Sequence, residues 1–139
     1  MRLTNSTHVP DYTVNIVDPD QSMLKALSRL LKIAGFEAAT FRSIEDFLKA
    51  GKTNRPCCLV IDVVQPATEC AGILENIVAT RQDLKIIYIS EHDDVHLQEQ
   101  AIKAGASAYL VKPFDDRFFL DAVQTALEQH DEVYKGEVI

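Results

Sequence analysis

The chain has 139 residues, 47% hydrophobic and 25% charged, with a formal net charge of −7. That length suits one domain burying about 68–70% of its unfolded surface, and no apolar run approaches the roughly 20 residues of a membrane span. The negative balance argues against unaided nucleic-acid binding, which needs clustered Lys and Arg.

Residues 1–11 read as a disordered arm: MRLTNSTHVP lacks the apolar h-region of a secretory signal. The first apolar run, TVNIVD, ends at Asp18 and leads into Pro19 and Asp20. Met23, Leu24, Leu27, Leu30, Leu31 and Ala34 then follow helical spacing, and Gly35 sits where a helix-ending glycine belongs. FEAATF (36–41) is a second strand, and SIED, starting at Ser43, resembles a capping box before a short helix with Ile44, Phe47 and Leu48. CCLVIDV is a third strand reaching Asp62, followed by a helical stripe of Ile73, Leu74, Ile77 and Val78. KIIYIS ends a fourth strand at Ser90. Leu97, Ala101, Ile102 and Ala104 mark a fourth helix closed by Gly105. ASAYLVK ends a fifth strand at Lys112, and Phe119, Leu120, Val123, Ala126 and Leu127 mark a fifth helix. Residues 131–139 read as a tail or linker after a domain spanning 12–130.

Strand and helix alternate five times, and several strands are apolar through their centres, as strands buried on both faces are. The expected architecture is a doubly wound α/β fold with a five-stranded parallel sheet. Working residues in such sheets lie at the carboxyl ends of strands. Those ends supply Asp18 with Asp20, Asp62, Ser90 and Lys112. Carboxylates that hold a divalent cation, beside an amine and a hydroxyl that hold phosphoryl oxygens, make a coherent set.

Two other patterns have plainer explanations. His92 and His96 in HDDVH imitate a zinc motif, but the acid is Asp and no third ligand is evident, so the segment reads as a solvated helix start. Cys57, Cys58 and Cys70 form neither a CxxC pair nor an even set. They read as small buried residues of a reducing, cytoplasmic compartment.

With VNIVDPD, CCLVIDVVQP, KIIYIS and AIKAGASAYLVKPF in place, the chain resembles the receiver domains of bacterial two-component response regulators, especially those preceding a helix-turn-helix output domain. The resemblance runs from about residue 12 to 129 and implies a (βα)5 flavodoxin-like fold. It implies that Asp62 accepts a phosphoryl group from a histidine kinase or histidine phosphotransfer protein. Asp18, Asp62 and the backbone carbonyl of Val64 would hold Mg²⁺, Lys112 and Ser90 would bind the phosphoryl oxygens, and Tyr109 would be the aromatic switch. The bond before Pro113 would be cis. The face of the fourth helix, fifth strand and fifth helix would respond and could support a homodimer. Such a domain is a phosphoacceptor rather than an enzyme, with at most self-catalysed phosphotransfer and autodephosphorylation.

Two departures stand out. Pro19 occupies the position of the second metal-binding acid and has no carboxylate. Asp20 is the candidate substitute, one residue late, and capping of the first helix is its other reading. After Asp62 the loop keeps Pro66, but Cys70 stands at the family's glycine, with Gly72 two residues on. Pro19 keeps open a phosphorylation-independent docking module. DPD also admits a haloacid-dehalogenase-like phosphatase using Asp18 as nucleophile and Asp20 as general acid, although that reading leaves Asp62 without a task.

Overall fold

The computed structural model describes residues 12–50, 55–62 and 84–138. In order these form β1 (Tyr12–Val17), α1 (Gln21–Ile33), β2 (Glu37–Phe41), α2 (Ile44–Ala50), β3 (Arg55–Asp62), β4 (Lys85–Ser90), α3 (Val95–Lys103), β5 (Ala106–Val111) and α4 (Asp116–Val138). The arm at 1–11, the expected helix around Ile73, Val64 and the loop with Cys70 and Gly72 lie outside the described residues. The expected fourth and fifth helices are α3 and α4.

The strands form one parallel sheet in the order β2-β1-β3-β4-β5. Alternation along each strand sends side chains to opposite faces. On one face Val14, Ile16, Cys58, Val60, Ile87 and Ile89 pack with Leu24, Leu27 and Leu31 of α1 and Phe119, Val123 and Ala126 of α4. On the other, Val17, Leu59, Ile61, Ile86 and Tyr88 pack with Phe47 of α2 and Ala101 of α3. Central strands buried on both sides explain the nearly unbroken apolar runs of β3 and β4. Among the described residues no helix is long and apolar enough to cross a membrane.

Local signals set the boundaries. Gly35 has φ +95°, and the Phe36 and Gly35 amides donate to the carbonyls of Leu31 and Lys32, closing α1 with a Schellman motif. Ser43 Oγ accepts from the Asp46 amide at 3.1 Å and starts α2. The segment read as a tail is helical through Val138. No Gly or Pro interrupts the chain between Asp116 and Lys135, so nothing local stops that helix.

One buried polar group interrupts the apolar centre. The β1–β3 register shifts between Thr13 and Val14, opposite Pro56 and Cys58. Beside the shift Asn15 is buried, and its amide donates to the Thr13 carbonyl at 3.1 Å and more weakly to that of Cys58 at 3.5 Å. Asn15→Ala is expected to lower stability by about 2 kcal/mol, because it leaves both a small cavity and a less satisfied carbonyl. Urea unfolding would show a lower midpoint at unchanged m; an unchanged midpoint would mean the amide contributes nothing net.

Candidate functional site

The strand order reverses between β1 and β3, and the crevice outside their carboxyl ends is where such sheets bind ligands. Asp18 follows β1 and is 1% exposed. Its amide donates to the Phe41 carbonyl at the end of β2, and its Oδ1 accepts from the Asp20 amide at 2.8 Å. Its Oδ2 is buried without a hydrogen-bond partner, 3.9 Å from Lys112 Nζ. Asp62 ends β3 with a side chain 5% exposed, and its Oδ2 accepts from Lys112 Nζ at 2.9 Å. Lys112 follows β5, is joined to Pro113 by a cis peptide bond, and anchors its amide on the Ser90 carbonyl at 2.8 Å. Three strand ends thus bring two carboxylates and one ammonium together.

The response regulator receiver domain family matches residues 14–124. The chain is 34% identical over 118 residues to the transcriptional regulatory protein FixJ of Rhizobium meliloti, covering 85% of this chain and 58% of that protein. It is 32% identical over 127 residues to the response regulator protein TodT of Pseudomonas putida, covering 90% of this chain and 56% of that one. The solution structure of the beryllofluoride-activated NtrC4 receiver domain dimer superposes with a TM-score of 0.78 at 27% identity, covering 87% of this chain and 99% of that one. The chain belongs to the response regulator receiver domain family. It spans a little over half the length of the relatives FixJ and TodT. Receiver domains are signalling domains of two-component systems.

In this receiver the backbone of one residue, His92, holds the hydroxyl side of the site. Ser90, buried at the end of β4, accepts through Oγ from the His92 amide at 3.0 Å. Tyr109 on β5 donates its hydroxyl to the His92 carbonyl at 2.9 Å. The sequence reading placed His92 in a solvated helix start and gave it no part in the site. Its role here is carried by backbone atoms, which no side-chain pattern reveals. His92 and His96 are exposed, and Asp94 between them caps α3, accepting from the His96 and Leu97 amides.

Pro19 and Asp20 form the turn into α1. Asp20 is the N-cap residue, and its Oδ1 accepts from the Ser22 amide at 2.9 Å. Pro19, exposed between the two aspartates, carries the chain from the buried Asp18 to this cap. Among the described residues no third His, Cys, Asp or Glu side chain joins Asp18 and Asp62. Asp115 caps α4 in the same way, accepting from the Arg117 amide at 3.0 Å.

Burial raises the Asp18 pKa to about 6. The Asp20 amide opposes this, the Asp62 charge adds to it, and Lys112 offsets part of it. Burial acts to lower the Lys112 pKa, but the bond to Asp62 and the charges of Asp62, Asp18 and Glu91 outweigh it and raise it. Two carboxylates, one with a buried unpartnered oxygen, suit a hard cation such as Mg²⁺, which needs only one or two carboxylates and keeps several waters.

The two readings of Asp20 separate cleanly. As a cap, Asp20→Asn should keep stability within a few tenths of a kcal/mol, while Asp20→Ala should lose about 1 kcal/mol. Neither should alter Mg²⁺ affinity. A tenfold weaker Mg²⁺ titration in Asp20→Asn alone would make Asp20 a ligand instead.

Proposed function

We propose that this receiver takes a phosphoryl group on Asp62 from the phosphohistidine of a histidine kinase or histidine phosphotransfer protein. The observation that carries the reading is the Asp62 carboxylate, held at 2.9 Å by Lys112 beside the unpartnered oxygen of Asp18. An Asp62 oxygen attacks phosphorus, the bond from phosphorus to the donor imidazole nitrogen breaks, and that nitrogen leaves with the electron pair. Mg²⁺, held by Asp18, Asp62 and the Val64 carbonyl, would neutralise charge on the transferring group. Lys112 then exchanges its Asp62 contact for a phosphoryl oxygen. A groove of about 730 Å³, lined by Met23, Leu27, Leu30, Lys112 and Phe114, offers the donor protein a surface beside the lysine. Residues 12–130 would form the working unit, in the cytoplasm.

The same geometry supports an output. A phosphoryl group would draw the Ser90 hydroxyl from the His92 amide, and Tyr109 would leave the His92 carbonyl as it turns inward. Both bonds end on the backbone of His92, so losing them together would reshape the approach to α3. Val95 and Ile102 on α3 and Phe118 on α4 are large exposed apolar side chains. They support homodimerisation through the α3–β5–α4 face, as a dimer is described for the activated NtrC4 receiver. Light scattering with and without beryllofluoride should show the mass doubling on activation, and Phe118→Glu should prevent it.

Pro19 favours one second reading, a docking module that needs no phosphorylation. The phosphatase alternative is not favoured: the Asp20 carboxylate expected to act as general acid is exposed and engaged at the helix cap. Intact-mass analysis after acetyl phosphate and Mg²⁺ tests the main reading. A gain of one phosphoryl group, labile to hydroxylamine, is expected; no gain at any Mg²⁺ level would leave the docking module.

A further inference from the structure

Helix α1 borders a second groove, which shares Arg29 and Ile33 with the groove beside Lys112 and otherwise has its own lining. It lies between α1 and the end of the edge strand β2 and has a volume of about 650 Å³. Lys25, Arg29 and Lys32 stand on one side at spacings of four and three residues, which place them on one helix face. Arg42, just past β2, faces them. The groove lining therefore holds four cations and no acid, in a chain with net charge −7. None of the four is ion-paired with a carboxylate among the described residues. Lys32 lies in the last turn of α1 and complements the helix dipole, but Lys25 and Arg42 have no such local task. Buried Leu24 lies in the lining, and at one end Ile33 is 78% exposed, the most exposed large apolar side chain among the described residues.

We propose that this groove docks an acidic, amphipathic segment of a partner protein. Carboxylates on one face of the segment would pair with Lys25, Arg29 and Arg42, and an apolar residue would cover Ile33. Four unpaired cations with an apolar contact complement that pattern and give both steering and an anchor. The 13 residues of α1 span roughly 20 Å, room for about four turns of a docked helix. A duplex or a bilayer would bring its negative charge against the whole molecule, which is strongly acidic outside this groove. A short segment meets only the basic lining. Lys25 and Arg42 line this groove and not the one beside Lys112, so they distinguish this docking from contact with the phosphodonor, and the proposal needs no phosphorylation at Asp62.

The test uses the full chain and a fluorescein-labelled amphipathic peptide of about 15 residues, Glu along one face and Leu along the other. Anisotropy at low salt should give saturable binding that weakens as salt is added. Lys25→Glu with Arg42→Glu should weaken it by about tenfold or more, while Lys103→Glu on α3 should change it less than about twofold. If the double reversal fails to fold, Lys25→Gln with Arg42→Gln gives the same comparison. Absence of saturable binding, or equal loss in the groove and α3 variants, would overturn the proposal. So would duplex DNA or phosphatidylserine vesicles binding more tightly than the peptide with the same dependence on Lys25 and Arg42.

Discussion

Asp62→Asn is expected to abolish phosphoryl uptake from acetyl phosphate, lowering it by at least about a thousandfold. The amide has nearly the shape of the carboxylate but no anionic oxygen to attack phosphorus. The fold should survive, because Asp62 ends β3 rather than sitting within the apolar centre. The electrostatics should shift in a defined direction. Asp62 accepts the 2.9 Å bond from Lys112, and its charge helps to raise the Asp18 pKa. With that charge removed, Lys112 is left with the carboxylates of Asp18 and Glu91, and the Asp18 pKa should fall. Carboxyl-selective NMR titration checks this shift, and intact mass checks the loss of phosphorylation. Retained labelling in Asp62→Asn would place the acceptor elsewhere.

Asp18→Asn should have two opposite effects. The folded-state pKa of Asp18 is raised from 3.8 to about 6. A group shifted in that direction contributes stability that is fully present below about pH 4 and lost as pH rises through about 6. In the metal-free protein near neutral pH, holding this carboxylate ionised therefore costs on the order of 3 kcal/mol. Asp18→Asn should stabilise the metal-free protein by about 1–3 kcal/mol at pH 7.5 and by little at pH 4. It should also lose the Mg²⁺ response, because the buried unpartnered Oδ2 is gone. In the wild type, Mg²⁺ affinity should fall by up to about tenfold per pH unit below pH 6, as protons compete for that oxygen. Urea unfolding across this pH range, with and without Mg²⁺, reads both effects. A destabilised Asp18→Asn at pH 7.5 would show that ionised Asp18 is a net support of the fold.

Much of the arrangement was legible because it follows from periodicity. Apolar runs that end in Asp18, Asp62, Ser90 and Lys112 place four polar groups at strand ends, and a parallel sheet aligns those ends. Gly35 and Gly105 marked the ends of α1 and α3 because only glycine adopts their positive φ without strain. Three features escaped that reasoning. Whether Asp20 would turn toward the site or onto the Ser22 amide depends on backbone angles across a single turn. The His92 backbone joins Ser90 to Tyr109 through its amide and carbonyl, groups that leave no mark in a side-chain pattern. The basic groove is assembled from α1 and the end of β2, segments whose side-by-side placement no local pattern specifies. The cis bond before Pro113 came from family resemblance, since local chemistry leaves most X-Pro bonds trans.

We propose that Asp62 is a Mg²⁺-dependent phosphoacceptor although proline, not an acid, stands at position 19. The most direct test is a Mg²⁺ titration of beryllofluoride binding, followed by amide NMR shifts at Ser90, His92 and Tyr109. A saturable, Mg²⁺-dependent response is expected at all three positions, absent in Asp62→Asn. No response in the wild type at any Mg²⁺ concentration would contradict it and leave the domain as a docking module.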